Sequence, residues 1–219
     1  MPTPTLEEYL EAIYKLSQKG AVRPTQIADA IGVSGPTVTA TLKRLEVQGL
    51  TSREGNEISL TSVGLAAALD IVRRHRISER FLVDVLGLDL DEAHEDACLL
   101  EHALSPRVLE ALERYLENPE VCPHGHPIPT SDGSVATVVG IPLSECVPGE
   151  RSVVIQLAED DDAVLSYLAN LGLLPGRSVT VVEVAPFDGP LLVDIGGVSS
   201  AIAREMAERV LVRCREGSS

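Results

Sequence analysis

Four side chains suited to metal binding or acid–base chemistry lie close together in the segment AHEDACLLEHAL, residues 93–104. They are His94, Cys98, Glu101 and His102. On an α-helix this spacing places all four on one face. Two imidazoles, a thiol and a carboxylate are an unusual set for a core helix, so the segment predicts a chemical role.

The residues alone leave three interpretations of this face open. The first is a half-buried helix with a core cysteine and a solvated acidic side. The second is a metallohydrolase, but the zinc-protease pattern His-Glu-x-x-His would need a histidine where Cys98 stands. Neither a nucleophile elbow nor a phosphate loop is present, so we do not expect an enzyme. The third is a regulatory or structural site for a divalent metal, which four donor residues on one face favour.

More potential ligands occur elsewhere, each in a pattern that is ordinary by itself. Carboxylate pairs are usually solvated surface, and a short Cys–His motif is usually a plain turn. These residues are the pair Glu8 and Glu11, the pair His75 and Glu79, and Cys122, His124 and His126 of the motif CPHGH.

The composition limits the class of protein. Of the 219 residues, 44% are hydrophobic, which argues against disorder. No run of about 18 apolar residues is present, so no membrane span is expected. The acidic N-terminus lacks the order of a signal peptide, and the cytoplasm is the expected location. The four cysteines are expected to be free thiols or ligands rather than a disulfide framework.

The N-terminal third has the pattern of a winged helix-turn-helix. Apolar residues from Ile27 to Ile31 predict a short helix that ends at Gly32, and a second helical stripe begins at Val38. The segment 50–64 predicts two short strands around the turn EGN. The net charge of −15 disfavours nucleic-acid binding, but residues 21–53 hold four cations against two anions. The acidic residues are concentrated elsewhere.

The second of these helices is the predicted recognition helix. Its small polar residues and the Ala40 methyl can reach base edges, while cations on the helix and the wing can hold phosphates. Ser34 can also cap the helix, and Thr41 is expected to face outward. A winged helix that only binds protein remains the alternative. The predicted DNA-contacting residues are Ser34, Pro36, Thr37, Thr39, Ala40, Lys43, Arg44 and Arg53.

The remaining elements complete an α+β fold with three domains. Helices are predicted over 62–86, over 89–104 and from Pro106, followed by a Pro/Gly-rich linker with turns. Four β-branched runs within 151–214, with one helix between the first two, predict a small barrel. We place the domains at 1–72, 73–140 and 150–215. An apolar stripe predicts a homodimer interface, with burial within one chain as the alternative. The stripe is formed by Leu99, Leu100, Ala103, Leu104, Val108 and Leu112.

Nearly the whole chain resembles the diphtheria-toxin-repressor family of iron- and manganese-dependent regulators. The motifs that carry the resemblance are EEYLEAIYKL, IADAIGVSGPTVTATLKRLEVQGL, RRHRISERFL, HEDACLLEH and CPHGHPIP. The final segment, with YLANLGLLPG, resembles the SH3-like iron-transport-associated domain that often follows in this family.

This resemblance implies two metal sites in each chain. The primary site would use Glu8, Cys98, Glu101 and His102, and Glu11 would join it as in the shorter manganese-responsive members. The ancillary site would use His75, Glu79 and His94 with a carboxylate of the third domain, Asp160 or Asp161. The glutamine ligand of the iron branch is absent, since Ala163 and Val164 stand nearest to its place. A Cys-Pro-His-Gly motif used by some manganese-responsive members matches Cys122 and His124.

The resemblance further implies a metal-activated repressor of metal-homeostasis genes that binds palindromic double-stranded DNA as a homodimer. Carboxylates at Glu8 and Glu11 favour Mn²⁺ as corepressor, while the thiol of Cys98 keeps Fe²⁺ a close second. The alternative from another class is a structural or metal-buffering zinc protein whose winged helix binds protein.

Overall fold

The computed structural model describes residues 2–158 and 162–214, apart from the side chains of Asp91 and Asp162. The chain forms two compact units. The first contains Met1–His75, Cys98–Leu109 and Pro129–Val135, and the second contains Arg76–Ala97, Glu110–Ile128 and Ala136–Ser219. Among the described helices, none combines the length and the apolar character needed to cross a membrane.

The winged helix predicted from the sequence is confirmed. Its elements are α1 (Pro4–Ser17), α2 (Pro24–Ile31), α3 (Gly35–Val47), β1 (Thr51–Glu54) and β2 (Glu57–Leu60). The three helices each have proline in the first turn, where a missing N–H costs nothing. Strands β1 and β2 pair antiparallel to form the wing.

One apolar core contains side chains of both α1 and α3, the predicted recognition helix. Leu6, Leu10 and Ile13 of α1 are fully buried in the same cluster as Val38 and Leu42 of α3. Since side chains in such a core interlock at crystal-like density, a shift of α1 is transmitted to α3.

Three further helices follow, α4 (Ser62–Asp84), α5 (Leu90–Leu100) and α6 (Pro106–Tyr115). A Cβ at Gly64 would lie 1.8 Å from the Leu50 carbonyl oxygen, so only glycine lets the start of α4 approach the hairpin this closely. Helix α5 ends four residues earlier than predicted, and Glu101 and His102 lie in the following turn. The N–H groups of Ala103 and Leu104 both donate to the Leu100 carbonyl, which forms this turn.

The C-terminal part is the predicted small β domain. Its six strands are antiparallel neighbours in the order β3-β8-β4-β5-β6-β7. The sequence patterns missed β3, which has only two residues of which one is proline, and β7, whose five residues are mostly exposed. The elements are β3 (Ile141–Pro142), a short 3-10 helix (Leu143–Glu145), β4 (Arg151–Leu157), α7 (Asp162–Asn170), β5 (Ser178–Val184), β6 (Leu191–Ile195), β7 (Val198–Ile202), α8 (Arg204–Ala207) and β8 (Val210–Cys214).

Candidate metal centres and DNA-reading surface

In the first unit, α1, α4 and the end of α5 bring three donor side chains together. Glu11, His75 and Glu101 each offer one ligand atom, and these atoms lie within 4.8 Å of one another. His75 Nδ1 lies 2.8 Å from Glu101 Oε2, and both side chains are 2% exposed. Cys98 adds a thiol whose Sγ is 3.9 Å from His75 Nδ1. We call the residues Glu11, His75, Cys98, Glu101 and His102 the primary cluster.

His102 connects the primary cluster to Glu7, a residue that the sequence analysis did not select. His102 Nδ1 lies 2.7 Å from Glu7 Oε2, and its Nε2 lies 3.3 Å from Glu101 Oε1. Arg74 donates to the other Glu7 oxygen over 3.2 Å and to the Glu101 carbonyl over 2.8 Å. The surroundings of the primary cluster thus include the buried guanidinium of Arg74 as well as carboxylates.

The structure distributes the predicted primary ligands unevenly. Glu11, Cys98, Glu101 and His102 come together, whereas the Glu8 side chain is exposed to solvent. Glu7 reaches the cluster instead, and a signal for it was present. Glu7 precedes Glu11 by four residues, which is the spacing of side chains stacked on one helix face.

Burial and a neighbouring carboxylate disfavour the ionised form of the Glu101 carboxyl group. Burial raises its pKa, and the neighbouring Glu11 carboxylate raises it as well, while contacts with His75 and His102 act in the opposite direction. Converging carboxylates flanked by imidazoles are a donor set that suits a divalent cation, which would remove the repulsion between Glu11 and Glu101. The residues present therefore fit a metal.

A separate cluster lies in the second unit. Glu79 Oε1 is 2.7 Å from His94 Nδ1 and 3.3 Å from His124 Nδ1, and the two imidazole rings meet edge to face at 5.9 Å. His124 is fully buried, yet among the described residues neither ring nitrogen has a partner in hydrogen-bond geometry. Buried polar atoms rarely lack such partners, so a cation fits this second cluster too.

The predicted ancillary ligands belong to different units, His75 to the first and Glu79 and His94 to the second. Glu79 and His94 come together, but His75 lies in the primary cluster. Cys122 is buried and is not among the residues whose donor atoms form the second cluster. Asp160 and Asp161 lie outside the described residues.

The CPHGH segment, predicted as part of a linker, is a tight turn held against β4. The Leu157 N–H donates to the His124 carbonyl over 2.9 Å, and His126 Nε2 donates to the Leu157 carbonyl over 2.6 Å. Gly125 has φ of 86°, and a Cβ there would lie 2.0 Å from the Ile155 carbonyl oxygen. Only glycine tolerates both the positive φ and the close carbonyl oxygen. The turn that it allows fixes the position of His124.

The DNA-reading surface of the first unit has the exposure that base and phosphate contacts need. One prediction about it was wrong, because Thr41 is only 5% exposed and lies on the core side of α3. Ser34 occupies the N-cap position of α3, but its hydroxyl bonds the Thr37 hydroxyl rather than capping the helix. The residues predicted to contact DNA are all exposed, namely Ser34, Pro36, Thr37, Thr39, Ala40, Lys43, Arg44 and Arg53.

Comparisons with known protein families match three consecutive parts of the chain. Residues 1–57 match the model described as "Iron dependent repressor, N-terminal DNA binding domain". Residues 61–130 match "Iron dependent repressor, metal binding and dimerisation domain", and residues 141–214 match "FeoA domain".

Individual relatives agree with these matches over most of the chain. The iron-dependent repressor IdeR of Mycobacterium leprae is 37% identical over 223 residues, 95% of this chain and 96% of that protein. The diphtheria toxin repressor of Corynebacterium diphtheriae is 33% identical over 195 residues, 87% of this chain and 80% of that protein. A solved structure described as a manganese-dependent transcriptional repressor in complex with manganese superposes with a TM-score of 0.86 at 33% identity, covering 96% of this chain and all of that one.

A winged helix, buried carboxylate–imidazole clusters and a C-terminal SH3-like domain define a metal-dependent DNA-binding regulator. The chain belongs to the iron-dependent repressor family, whose members include the diphtheria toxin repressors. This confirms the family and the fold predicted from the sequence. It also places the chain among transcriptional repressors rather than enzymes.

Proposed function

We propose that this protein represses transcription when a divalent cation in the primary cluster fixes the position of its DNA-reading helix. The observation that carries the proposal is the double role of α1. One face of α1 lies in the apolar core with α3, while Glu11 on the same helix meets His75 and Glu101. A cation held there acts on the reading helix through α1.

Electrostatics give the direction of the switch. Without a cation, Glu7, Glu11 and Glu101 converge with only partial compensation from Arg74 and Lys15. Their mutual repulsion loosens α1. A divalent cation cancels the repulsion and ties α1 to α4 and the turn after α5. Coupling of about 1–3 kcal/mol between cation and DNA is ordinary for such a mechanism.

We propose Mn²⁺ as the favoured ion and Fe²⁺ as the second candidate. Two carboxylates and two imidazoles suit either ion. The Cys98 thiolate is the donor that suits Fe²⁺ better than Mn²⁺. The exposed Glu8 side chain would join by changing rotamer. A second ion would bind at Glu79, His94 and His124, with Cys122 and a third-domain carboxylate, Asp160 or Asp161, as additional donors.

We further propose that the protein acts in the cytoplasm as a homodimer on a palindromic operator. Three apolar side chains of the first unit support a dimer surface, because Leu99, Leu100 and Val108 are 75%, 37% and 46% exposed. Ala103 is exposed beside them, whereas Leu104 and Leu112 are partly buried. Exposed apolar patches of this kind mark protein contacts, and two reading helices require two half-sites about one DNA turn apart.

Lys43→Ala is expected to weaken binding to all DNA sequences alike. Lys43 is exposed on α3, where its ammonium can neutralise one phosphate. The slope of log affinity against log salt concentration should fall by about one unit. Fluorescence anisotropy across a salt series measures this slope. Lys19→Ala, which removes an exposed cation outside α3 and the wing, should leave it unchanged. Equal slopes for Lys43→Ala and the parent protein would contradict the assignment.

Metal affinity is expected to increase with pH. The pKa of Glu101 is raised, chiefly by burial, so proton and cation compete for this carboxylate. The apparent Mn²⁺ affinity should therefore rise as pH increases from the ordinary value of 4.5 through the raised pKa. Because the folded state holds this proton more tightly than the unfolded chain, the free energy of unfolding of the metal-free protein should fall over the same range.

Isothermal titration with Mn²⁺ at several pH values tests this dependence. Glu101→Gln removes the competing proton and should make the slope shallower. An unchanged slope in Glu101→Gln would show that Glu101 is not a ligand.

The function itself is tested by DNA affinity against a metal series. Duplexes are first selected from a random pool in the presence of Mn²⁺, and binding is then measured with Mn²⁺, Fe²⁺, Zn²⁺ and chelator. We expect tight binding to a palindrome with Mn²⁺ or Fe²⁺ and weak binding with chelator. Equal affinity with and without metal would refute metal activation.

A further inference from the structure

Two of the four cysteines lie together in the SH3-like domain, away from the donors used above. Cys146 follows the short 3-10 helix, and Cys214 ends β8. With Glu150 they offer two sulfurs and a carboxylate oxygen that all lie within 4.8 Å of one another. Strand pairing sets part of this geometry, since Cys214 is the register partner of Ser152 on β4.

The surroundings hold these groups in place. The Val147 N–H donates to Glu150 Oε2 over 3.1 Å, which orients the carboxylate, and the Cys214 thiol is hydrogen-bonded to it. The Ser152 hydroxyl, 1% exposed, lies 3.7 Å from Cys146 Sγ. Groups that orient metal ligands in this way are a regular part of built metal sites. Cys146 is buried while Cys214 and Glu150 are partly exposed, so the cluster is open on one side.

We propose that Cys146, Cys214 and Glu150 form a third cation site, selective for a thiophilic divalent ion of the Zn²⁺ class. Two thiolates and one carboxylate fill three positions of a tetrahedron, and water from the open side fills the fourth. Thiolates discriminate strongly against Mn²⁺, which prefers oxygen and imidazole donors. The site therefore binds a different ion from the primary cluster and does not depend on the proposed repressor mechanism.

The full chain with Cys98→Ser and Cys122→Ser provides the test, because Cys146 and Cys214 are then its only cysteines. Titration with Co²⁺, a spectroscopic substitute for Zn²⁺, should give a thiolate-to-cobalt charge-transfer band that saturates at one equivalent. Addition of Zn²⁺ should abolish the band. Co²⁺ at the remaining imidazole and carboxylate donors gives no such band.

Two further variants separate metal binding from folding. Adding Cys146→Ser should remove the band. Adding Glu150→Ala leaves both thiols and the buried Ser152 in place and should weaken Co²⁺ binding by at least about tenfold. Circular dichroism confirms that the β domain is intact. Absence of the band in the starting variant, its persistence after Cys146→Ser, or a Cys146–Cys214 disulfide in reducing buffer would each overturn the proposal.

Discussion

Replacing Glu101 with alanine is expected to abolish the stimulation of DNA binding by metal. Glu101 contacts His75 and His102 and faces Glu11, so its carboxylate links donors of α1, α4 and the turn after α5. Without it a cation no longer links α1 to the turn after α5. The DNA Kd with Mn²⁺ should rise to that of the metal-free protein, a change of about 5–150-fold for typical allosteric coupling.

Glu95→Ala is the matched control for this experiment. Glu95 lies on α5 and is exposed, so the substitution removes the same charge without touching the cluster. Its metal response should equal that of the parent protein. Glu101→Ala removes the partner of the buried His75 imidazole, so its thermal unfolding transition is measured alongside, to separate loss of the metal response from loss of the fold. A full metal response in Glu101→Ala would refute the primary cluster as the activating site.

Replacing Arg74 with methionine is expected to destabilise the protein by about 3–5 kcal/mol, the usual cost of breaking a buried ion pair from one side. The Arg74 side chain is 10% exposed and that of Glu7 is 6% exposed. Loss of the guanidinium leaves Glu7 buried near other carboxylates and leaves the Glu101 carbonyl without this donor. Urea denaturation of the metal-free protein measures the change.

Two further variants test whether the effect of Arg74→Met comes from its buried ion pair with Glu7. Arg80→Met breaks an ion pair with Asp84 whose side chains are 30% and 34% exposed, and should cost at most about 1 kcal/mol. Glu7→Gln in the Arg74→Met background removes the charge that has lost its guanidinium partner and should recover part of the lost stability. If Arg74→Met costs no more than Arg80→Met, the buried network around Glu7 does not stabilise the fold.

The fold followed from the sequence because its signals are periodic and local. Apolar spacing marked α2 and α3, the turn EGN marked the wing, and β-branched runs marked four barrel strands. Strand β7 was missed because it is short and mostly exposed, and its sequence VSSAI shows no alternation of apolar and polar residues. Thr41 follows Val38 by three residues and precedes Leu45 by four, so the apolar period already placed it inward.

The metal-ligand clusters were harder to predict than the fold. Helical spacing shows which residues share one face of a helix, but not which residues of other elements that face contacts. Glu7 and Glu8 precede Glu11 by four and three residues, so either can share a helix face with it. Only the packing of α1 decides which of the two is buried. His75 and Glu79 lie one turn apart on α4, yet each meets a different cluster. Helix α5 also ends at Leu100, so Glu101 and His102 lie in a turn rather than on the predicted helix.

In the proposed mechanism, cation binding and DNA binding are coupled through α1. Because coupling between two binding equilibria is reciprocal, DNA must tighten metal binding by the factor by which metal tightens DNA binding. The decisive measurement is the Mn²⁺ Kd of the homodimer, by isothermal titration, with and without the selected duplex. We predict a lower Mn²⁺ Kd in the presence of DNA, by the same factor. Identical Mn²⁺ Kd values in the two titrations would contradict the mechanism.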